Sequence, residues 1–133
     1  MQPEWSEIKR WLEKADHDRR MAEAGLTQTP PITDGAAFHC QQAAEKLLKA
    51  YLVYCGESFE KVHDLGALAH ACARHEPEFA NLIPRVLPLN PFAVRFRYPG
   101  TFDPTVQQVR DALKVVQDVL GFVLKHLPPD VHS

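Results

Sequence analysis

The sequence predicts an all-α fold: an antiparallel up-and-down bundle of four to five helices, with an irregular, proline-rich connector before the last helix. A proline inside a helix costs about 3 kcal/mol, and the eleven prolines leave three long stretches free, 4–29, 32–76 and 105–127. Within these stretches apolar residues recur at alternating spacings of three and four, the period of a helix packed on one face. No hairpin signal and no repeat of 20–50 residues appears.

The first two helices are predicted from an apolar face and a stop signal. The first carries Pro3 in its first turn, and Arg19 interrupts its face. The second begins after Thr33 and Asp34 and ends at Gly56, because glycine readily takes the left-handed conformation that closes a helix. The apolar positions are Trp5, Ile8, Leu12, Ala15, Ala22 and Leu26 in the first helix and Ala37, Cys40, Ala44, Leu47, Tyr51 and Cys55 in the second.

A shorter helix and a long final helix complete the bundle. Asp64 is the expected N-cap of the shorter helix, which carries Leu65, Leu68 and Cys72 inward and ends before Pro77. The final helix is expected to open with Asp103 as N-cap and Pro104 at its first helical position. Between them, 92–96 reads as a short extended segment.

The final helix has two apolar rows. Its core row repeats Val106, Val109, Leu113, Val116, Leu120, Val123 and Leu127. A second row, Ala112, Val115, Val119 and Phe122, is more than a helix packed on one side needs. Either this helix is central in the bundle or it meets a partner, and the second interpretation predicts a homodimer interface at Val115, Val119 and Phe122.

Length and composition indicate one domain, 1–133. The 15 Lys and Arg against 17 Asp and Glu give a net charge of −2, so any nucleic-acid surface must be a local patch. The three cysteines match no disulfide or zinc-ribbon pattern, which favours a reducing compartment. The charged N-terminus and the lack of an apolar run of about 18 residues predict a soluble, cytoplasmic protein.

Several kinds of chemistry lack their motifs. The chain has no GxSxG, no P-loop and no GxGxxG, so serine hydrolysis and the usual glycine cradles for ATP or a dinucleotide are not indicated. It has no HExxH and no Cys/His ligand set with the spacing of a zinc site, so the sequence predicts no dedicated metal site and no cofactor.

Two small groups of polar residues are candidate sites. Phe38, Gln42, Glu45 and Lys49 form one row along the second helix, either a solvated stripe with Glu45 and Lys49 as an exposed ion pair, or a binding surface. His63 and Asp64 open the third helix. Asp64 is explained by capping, whereas a histidine beside a carboxylate also suits proton transfer.

The segment 79–102 has a local charge of +3. It contains Arg85, Arg95 and Arg97, with no Asp or Glu, and interleaves them with Phe92, Phe96 and Tyr98. Arginine binds phosphate in a bidentate manner and aromatic rings stack on bases, which suits a nucleotide or single-stranded RNA. The alternative is that the aromatic residues close one end of the bundle and the arginines neutralise helix C-termini.

Four segments together resemble the HEPN domain family over about residues 5–127: WLEKADHDRRMAEAGL at 11–26, AAFHCQQAAEKLLKAYLVYCG at 36–56, KVHDLGALAHAC at 61–72 and RFRYPG at 95–100. The resemblance implies a helical bundle, commonly dimeric, that binds nucleotides or RNA. It also implies a minimal nucleotidyltransferase as partner, in a toxin–antitoxin or defence setting. The matching stretches favour Arg95, Arg97, Tyr98, Gln42, Glu45, Lys49, His63 and Asp64 as nucleotide- or RNA-binding residues.

The chain departs from the nuclease members of that family. They carry an arginine followed, after four to six residues, by a histidine near the start of a late helix, whereas the window after Arg97 has none. Arg10 and His17 have the spacing but lie on the first helix. We therefore expect a non-catalytic binding domain. The alternatives are an atypical metal-independent ribonuclease that uses His63 or His39, and an adaptor that contacts a protein through the polar row.

Overall fold

The computed structural model describes residues 4–95 and 103–129, and for Arg95 it describes the backbone without the side chain. All the regular structure in these residues is helical, which confirms the predicted fold class. The four longest helices are α1 (Trp5–Leu26), α2 (Thr33–Tyr54), α3 (Leu65–His75) and α6 (Val106–Lys125), with two short helices, α4 (Ile83–Val86) and α5 (Phe92–Arg95), before α6.

Helices α1 and α2 form an antiparallel hairpin. Gly25 near the end of α1 lies against Ala36 at the start of α2, whereas Trp11 near the start of α1 faces Lys49 near the end of α2. The amide of Ile32 donates to the carbonyl of Gly25 at 2.9 Å and closes the connection. A Cβ on Gly25 would lie 2.9 Å from the carbonyl oxygen of Ile32, so a side chain here would separate the helices.

Helix α2 is the centre of the molecule. It packs against α1, α3, α5 and α6, and every residue from 43 to 52 is buried except the partly buried Lys46. A helix enclosed in this way needs small or apolar residues all round, and α2 supplies five alanines in the stretch QQAAEKLLKA and the residues before it. Its end is also as predicted: Gly56, at φ 81°, completes a Schellman motif in which Glu57 donates to Leu52 and Gly56 to Val53.

Over residues 77–95, the connector between α3 and α6 is a chain of short helical turns. A 3-10 turn at Pro77–Leu82 leads into α4, a second 3-10 turn at Leu87–Leu89, and α5. Pro77, Pro84 and Pro88 each occupy the first or second position of a turn, where a fixed φ favours helix and the missing N–H is not needed. The prediction of an extended segment at 92–96 is wrong for residues 92–95, which form α5. Phe96 lies outside the described residues.

The start of α6 corrects a second detail. Its N-cap is Thr105, and Asp103 and Pro104 precede the helix. The Thr105 hydroxyl accepts the Gln108 N–H at 3.0 Å, and the Gln108 side chain accepts the Thr105 N–H at 2.8 Å. Two reciprocal bonds of this capping box satisfy more of the free helix N–H groups than a single carboxylate at 103 would.

A single apolar core lies between α2 and the elements around it. Phe79 from the connector is completely buried and contacts the rings of Tyr51 and Phe122. Within residues 4–95 and 103–129, no helix has both the length and the apolar character needed to cross a bilayer. The largest fully enclosed side chains are Phe79, Ile8, Leu48, Leu52, Leu65, Leu68, Gln41, Val86, Val109, Val116, Val119 and Val123.

Candidate functional site

The polar row of α2 is partly buried, which excludes its interpretation as a solvated stripe. Glu45 and Lys49 are each 3% exposed. The Lys49 ammonium donates to Glu45 Oε2 at 2.9 Å and to the Glu60 carbonyl oxygen at 3.0 Å, and it lies 5.5 Å from the centroid of the Trp11 ring. Buried charges persist in proteins only when they are paired and hydrogen-bonded in this way.

His63 completes the coordination of the Glu45 carboxylate. Its Nδ1 lies 3.0 Å from Glu45 Oε2, and Gln41 Nε2 donates to Glu45 Oε1 at 3.3 Å. Because a carboxylate only accepts, Nδ1 of a neutral His63 carries the proton and Nε2 carries the free lone pair. The His63 side chain is 68% exposed, so this imidazole is oriented from inside the protein and open to solvent outside.

Asp64 acts as the predicted cap and does not serve His63. Its Oδ1 accepts the Ala67 N–H at 3.0 Å, and the Asn90 amide donates to the same oxygen at 3.4 Å. The Asn90 side-chain oxygen accepts the Leu65 N–H at 2.9 Å. The residues next to each other in sequence thus have different partners: His63 pairs with α2, and Asp64 ties α3 to the connector.

The two glutamines extend the network along α2. Gln42 is half-buried and donates to Gln41 Oε1 at 2.7 Å, and Gln41 also donates to the His63 carbonyl oxygen at 3.3 Å. The structure therefore connects four predicted residues: Lys49 and His63 bind Glu45 directly, and Gln42 joins them through Gln41. Sequence reasoning missed Gln41, although its spacing of four from Glu45 was the available signal.

The predicted phosphate-binding arginines begin where the described part of the connector ends. Helix α5 packs against α2, and its last residue is Arg95. Asn90 anchors the start of this segment to Asp64 and Leu65. The side chain of Arg95, together with Arg97 and Tyr98, lies outside the described residues.

Arg85, the third arginine of the segment, has a separate role. It lies in the last turn of α4, as the helix-neutralising interpretation expects, and it pairs with Asp118 of α6 on the surface.

A second polar cluster lies on the α1–α2 hairpin. Asp18 is buried, and its carboxylate binds His39 Nδ1 at 2.8 Å and the Lys46 ammonium. The sequence pattern predicted that Arg19 interrupts the apolar face of α1. The buried position is instead Asp18, which stands three residues after Ala15 and four before Ala22, while Arg19 pairs with Asp16 and Glu23 at the surface.

A groove of about 500 Å³ runs beside the buried network, within the size range of small-molecule sites. Trp11, whose ring faces Lys49, forms one wall. Three cations and two carboxylates surround the indole, a combination suited to an anionic ligand with a flat ring. The lining residues are Glu7, Arg10, Trp11, Lys14, Lys46 and Glu60.

The predicted dimer residues differ in their availability. Val119 is completely enclosed by its own chain, so it belongs to the core and is not an interface residue. Phe122 is half-buried, stacks on the His126 ring and contacts the Phe79 ring edge-on. Val115 is half-buried and lines a groove of about 300 Å³ with Leu89 and Phe92. The second apolar row of α6 is therefore explained in large part by packing within one chain.

The cysteines are free thiols. Burial raises the pKa of Cys40 to about 12 and raises the pKa of Cys72 further, and Cys72 donates to the Leu48 carbonyl. A thiol with a raised pKa is a poor nucleophile at neutral pH. Cys40 and Cys72 are thus core residues.

Comparison with known families identifies the domain family to which the chain belongs. The model of the HEPN domain matches residues 8–127, nearly the whole chain. The chain belongs to the HEPN domain family. HEPN domains are helical domains associated with nucleotides and nucleic acids, and the resemblance noted from the sequence is confirmed. No curated protein and no solved structure matches this HEPN domain.

Proposed function

We propose that this HEPN domain is a non-catalytic module that binds a nucleotide or single-stranded RNA through its phosphates. The observation that carries the proposal is the hydrogen-bonded network of Gln41, Glu45, Lys49 and His63, which fixes one exposed imidazole beside the Asp64–Asn90 anchor of the arginine-rich segment. In this proposal Arg95 and Arg97 bind phosphate, Tyr98 stacks on a base, and His63 and Gln42 supply hydrogen bonds. Glu45 and Lys49 position His63 from the interior.

The proposed setting follows from family membership. We propose a homodimer that acts with a minimal nucleotidyltransferase in a toxin–antitoxin or defence pair. Copurification of the chain with a small nucleotidyltransferase encoded beside it supports the partner. The absence of any complex between the two purified proteins contradicts it.

The binding test compares three variants in parallel. Fluorescence anisotropy with a labelled single-stranded RNA, in EDTA, is expected to show that Arg97→Ala weakens binding at least tenfold, because one charge-assisted phosphate contact contributes about 1.5–3 kcal/mol. Arg74→Ala removes an equally positive side chain, which is 62% exposed at the end of α3 far from His63 and Asp64, and should bind as wild type. Circular dichroism checks that each variant is folded.

A third variant tests the location. Arg10→Ala removes a cation from the groove beside Trp11. If Arg10→Ala abolishes binding and Arg97→Ala does not, the site lies in the groove and the proposed location is wrong. Equal losses in Arg97→Ala and Arg74→Ala would mean that the RNA responds to total charge and that no phosphate site exists at Arg97.

A ribonuclease is the second candidate, and the His63–Glu45 pair favours it. A solvent-exposed imidazole held by a buried carboxylate is suited to remove the 2′-hydroxyl proton of RNA. The same samples run on a denaturing gel test this activity. RNA that is cleaved by wild type but not by His63→Ala would establish an enzyme. If wild type leaves the RNA intact, the proposal of a non-catalytic binding module stands.

The adaptor alternative loses the surface on which it was based. Glu45 and Lys49, two of the four residues in the polar row, are buried and bonded to each other. A protein partner cannot reach them without opening the junction of α1 and α2.

A further inference from the structure

Three electron-rich side-chain atoms meet where the turn after α3 packs against the end of α6. Glu76 caps the 3-10 turn after α3, Glu78 lies within that turn, and His126 ends α6. His126 Nε2 lies 3.6 Å from Glu78 Oε2 and 4.0 Å from Glu76 Oε2. One ligand atom from each residue lies within 4.8 Å of the other two.

The orientation of His126 is fixed by contacts outside this cluster. Its Nδ1 lies 2.9 Å from the Phe122 carbonyl oxygen, which can only accept, so Nδ1 carries a proton. The ring stacks on Phe122 with centroids 4.6 Å apart and also contacts Phe79. Its side chain is 15% exposed. The second nitrogen, Nε2, therefore faces the two carboxylates and cannot turn away from them.

The His126 Nε2 lone pair and the two carboxylates repel one another unless a proton or a metal ion lies between them. A neutral His126 would direct its Nε2 lone pair at two carboxylates. Among the described residues, no lysine or arginine forms an ion pair with Glu76 or Glu78. We propose that Glu76, Glu78 and His126 bind a divalent metal ion of the Zn²⁺ class.

The donor set fits such an ion. Zn²⁺ binds imidazole nitrogen and carboxylate oxygen at about 2.0–2.2 Å and commonly takes three protein ligands with water in the fourth position. The hydrogen bond from Nδ1 to a backbone carbonyl is the usual outer contact of a metal-bound histidine. Glu78 is 56% exposed, so it can close the remaining distance by a change of rotamer. The ion would tie the end of α6 to the turn that follows α3.

The sequence did not predict this site because its ligands come from distant parts of the chain. Glu76 and Glu78 stand two residues apart in the turn after α3, but His126 lies at the C-terminal end of α6. The spacing of these three residues in the sequence matches no metal-binding motif. Only the packing of Phe79 and Phe122, which brings the turn against α6, places the three residues together.

Isothermal titration of the tag-free protein with ZnCl₂ near neutral pH tests the proposal. We expect one Zn²⁺ per chain, and we expect Glu78→Gln and His126→Ala each to raise the Kd at least tenfold, since loss of even an outer contact costs about 10–100-fold. Glu78→Gln changes an exposed side chain and keeps its shape, so it should remain folded. His75→Ala is the matched control: His75 also pairs with a carboxylate, Glu57, but the described residues offer it no third ligand, and its variant should bind Zn²⁺ as wild type.

A nuclear magnetic resonance measurement distinguishes a metal from a proton. Added Zn²⁺ should shift the Nε2 resonance of His126 and leave its Nδ1 proton in place. The proposal is overturned if wild type does not bind Zn²⁺, if Glu78→Gln binds as tightly as wild type, or if His126 stays doubly protonated when Zn²⁺ is added. None of these results bears on RNA binding, which is measured in EDTA.

Discussion

At the scale of single residues, Lys49 is held by three groups that come from three parts of the chain. Glu45 belongs to its own helix, the Glu60 carbonyl to the loop before α3, and Trp11 to α1. An ammonium group in this position loses the free energy of hydration, and only direct contacts with protein groups compensate for that loss. The pair consequently locks the loop and α1 onto α2, and it stabilises the fold only while both members are present.

A double-mutant cycle on this pair should be strongly non-additive. Lys49→Met leaves the buried Glu45 carboxylate without its main counter-charge, and we expect a loss of about 3–5 kcal/mol in the free energy of unfolding. Glu45→Gln combined with Lys49→Met removes both charges and should lose less than the sum of the two single variants. Urea unfolding followed by circular dichroism gives all four values.

Lys9→Met supplies the matched control, because Lys9 is an exposed lysine on α1. It should change stability by less than about 0.5 kcal/mol. Additive losses in the cycle, or a Lys49→Met variant as stable as Lys9→Met, would show that the pair is not the buried interaction described here.

The sequence indicated which residues pair but not how deeply they lie. Glu45 and Lys49 are separated by four residues, so a hydrogen-bonded pair on one helix follows from spacing. Their burial depends on Trp11 and on the loop carrying Glu60, which approach from elsewhere in the chain. Asp64 was predictable as a cap because capping is local, whereas the contact between His63 and Glu45 joins positions 18 residues apart.

At the scale of helices, two glycines test how tightly the elements pack. Gly121 lies inside α6, about one turn before its end; it is exposed, and an added Cβ would meet no atom within 4 Å among the described residues. Gly25 lies near the end of α1, where a Cβ would meet the Ile32 carbonyl oxygen at 2.9 Å and the Ala36 side chain at 3.1 Å. The same substitution should therefore have opposite effects at the two positions.

Gly121→Ala should raise the free energy of unfolding by about 1 kcal/mol, because alanine restricts the unfolded chain and favours helix. Gly25→Ala should lower it by about 1–3 kcal/mol, because backbone must move to admit the methyl group. Thermal unfolding of both variants beside wild type gives the sign directly. A stabilised Gly25→Ala would mean that the α1–α2 hairpin is looser than its hydrogen bonds indicate.

Helix boundaries show where local sequence was sufficient. Proline-free stretches and apolar periodicity predicted all four longest helices, and Gly56 marked the end of α2 correctly. The start of α6 was misplaced because both Asp103 and Thr105 are good caps, and the reciprocal bond to Gln108 favours Thr105. The short turns of the connector were missed because three to six residues are too few to show a helical period.

At the scale of the whole molecule, the central position of α2 determines which surfaces remain for a partner. Because α2 is enclosed, the candidate dimer face must come from the outer elements. On α6, Val119 is core and Phe122 is engaged with Phe79, which leaves Val115 from the predicted set. Val115 lines a groove with Pro88, Leu89 and Phe92, and Val94 of the neighbouring α5 is half-exposed.

The proposed homodimer therefore predicts a specific effect of charge at Val115. Light scattering after size exclusion should give a dimer for wild type and a monomer for Val115→Glu, since a buried unpaired carboxylate is strongly unfavourable. We expect the dimer Kd to rise at least about 100-fold, equivalent to about 2.8 kcal/mol. Met21→Glu adds the same charge at an exposed apolar residue of α1 and should leave the dimer intact.

A dimer that survives Val115→Glu would place the interface on another face, and a monomeric wild type at high concentration would reject the dimer. A monomeric wild type would also mean that a single chain forms the RNA-binding site. If Val115→Glu loses both dimerisation and RNA affinity, two chains form the site together.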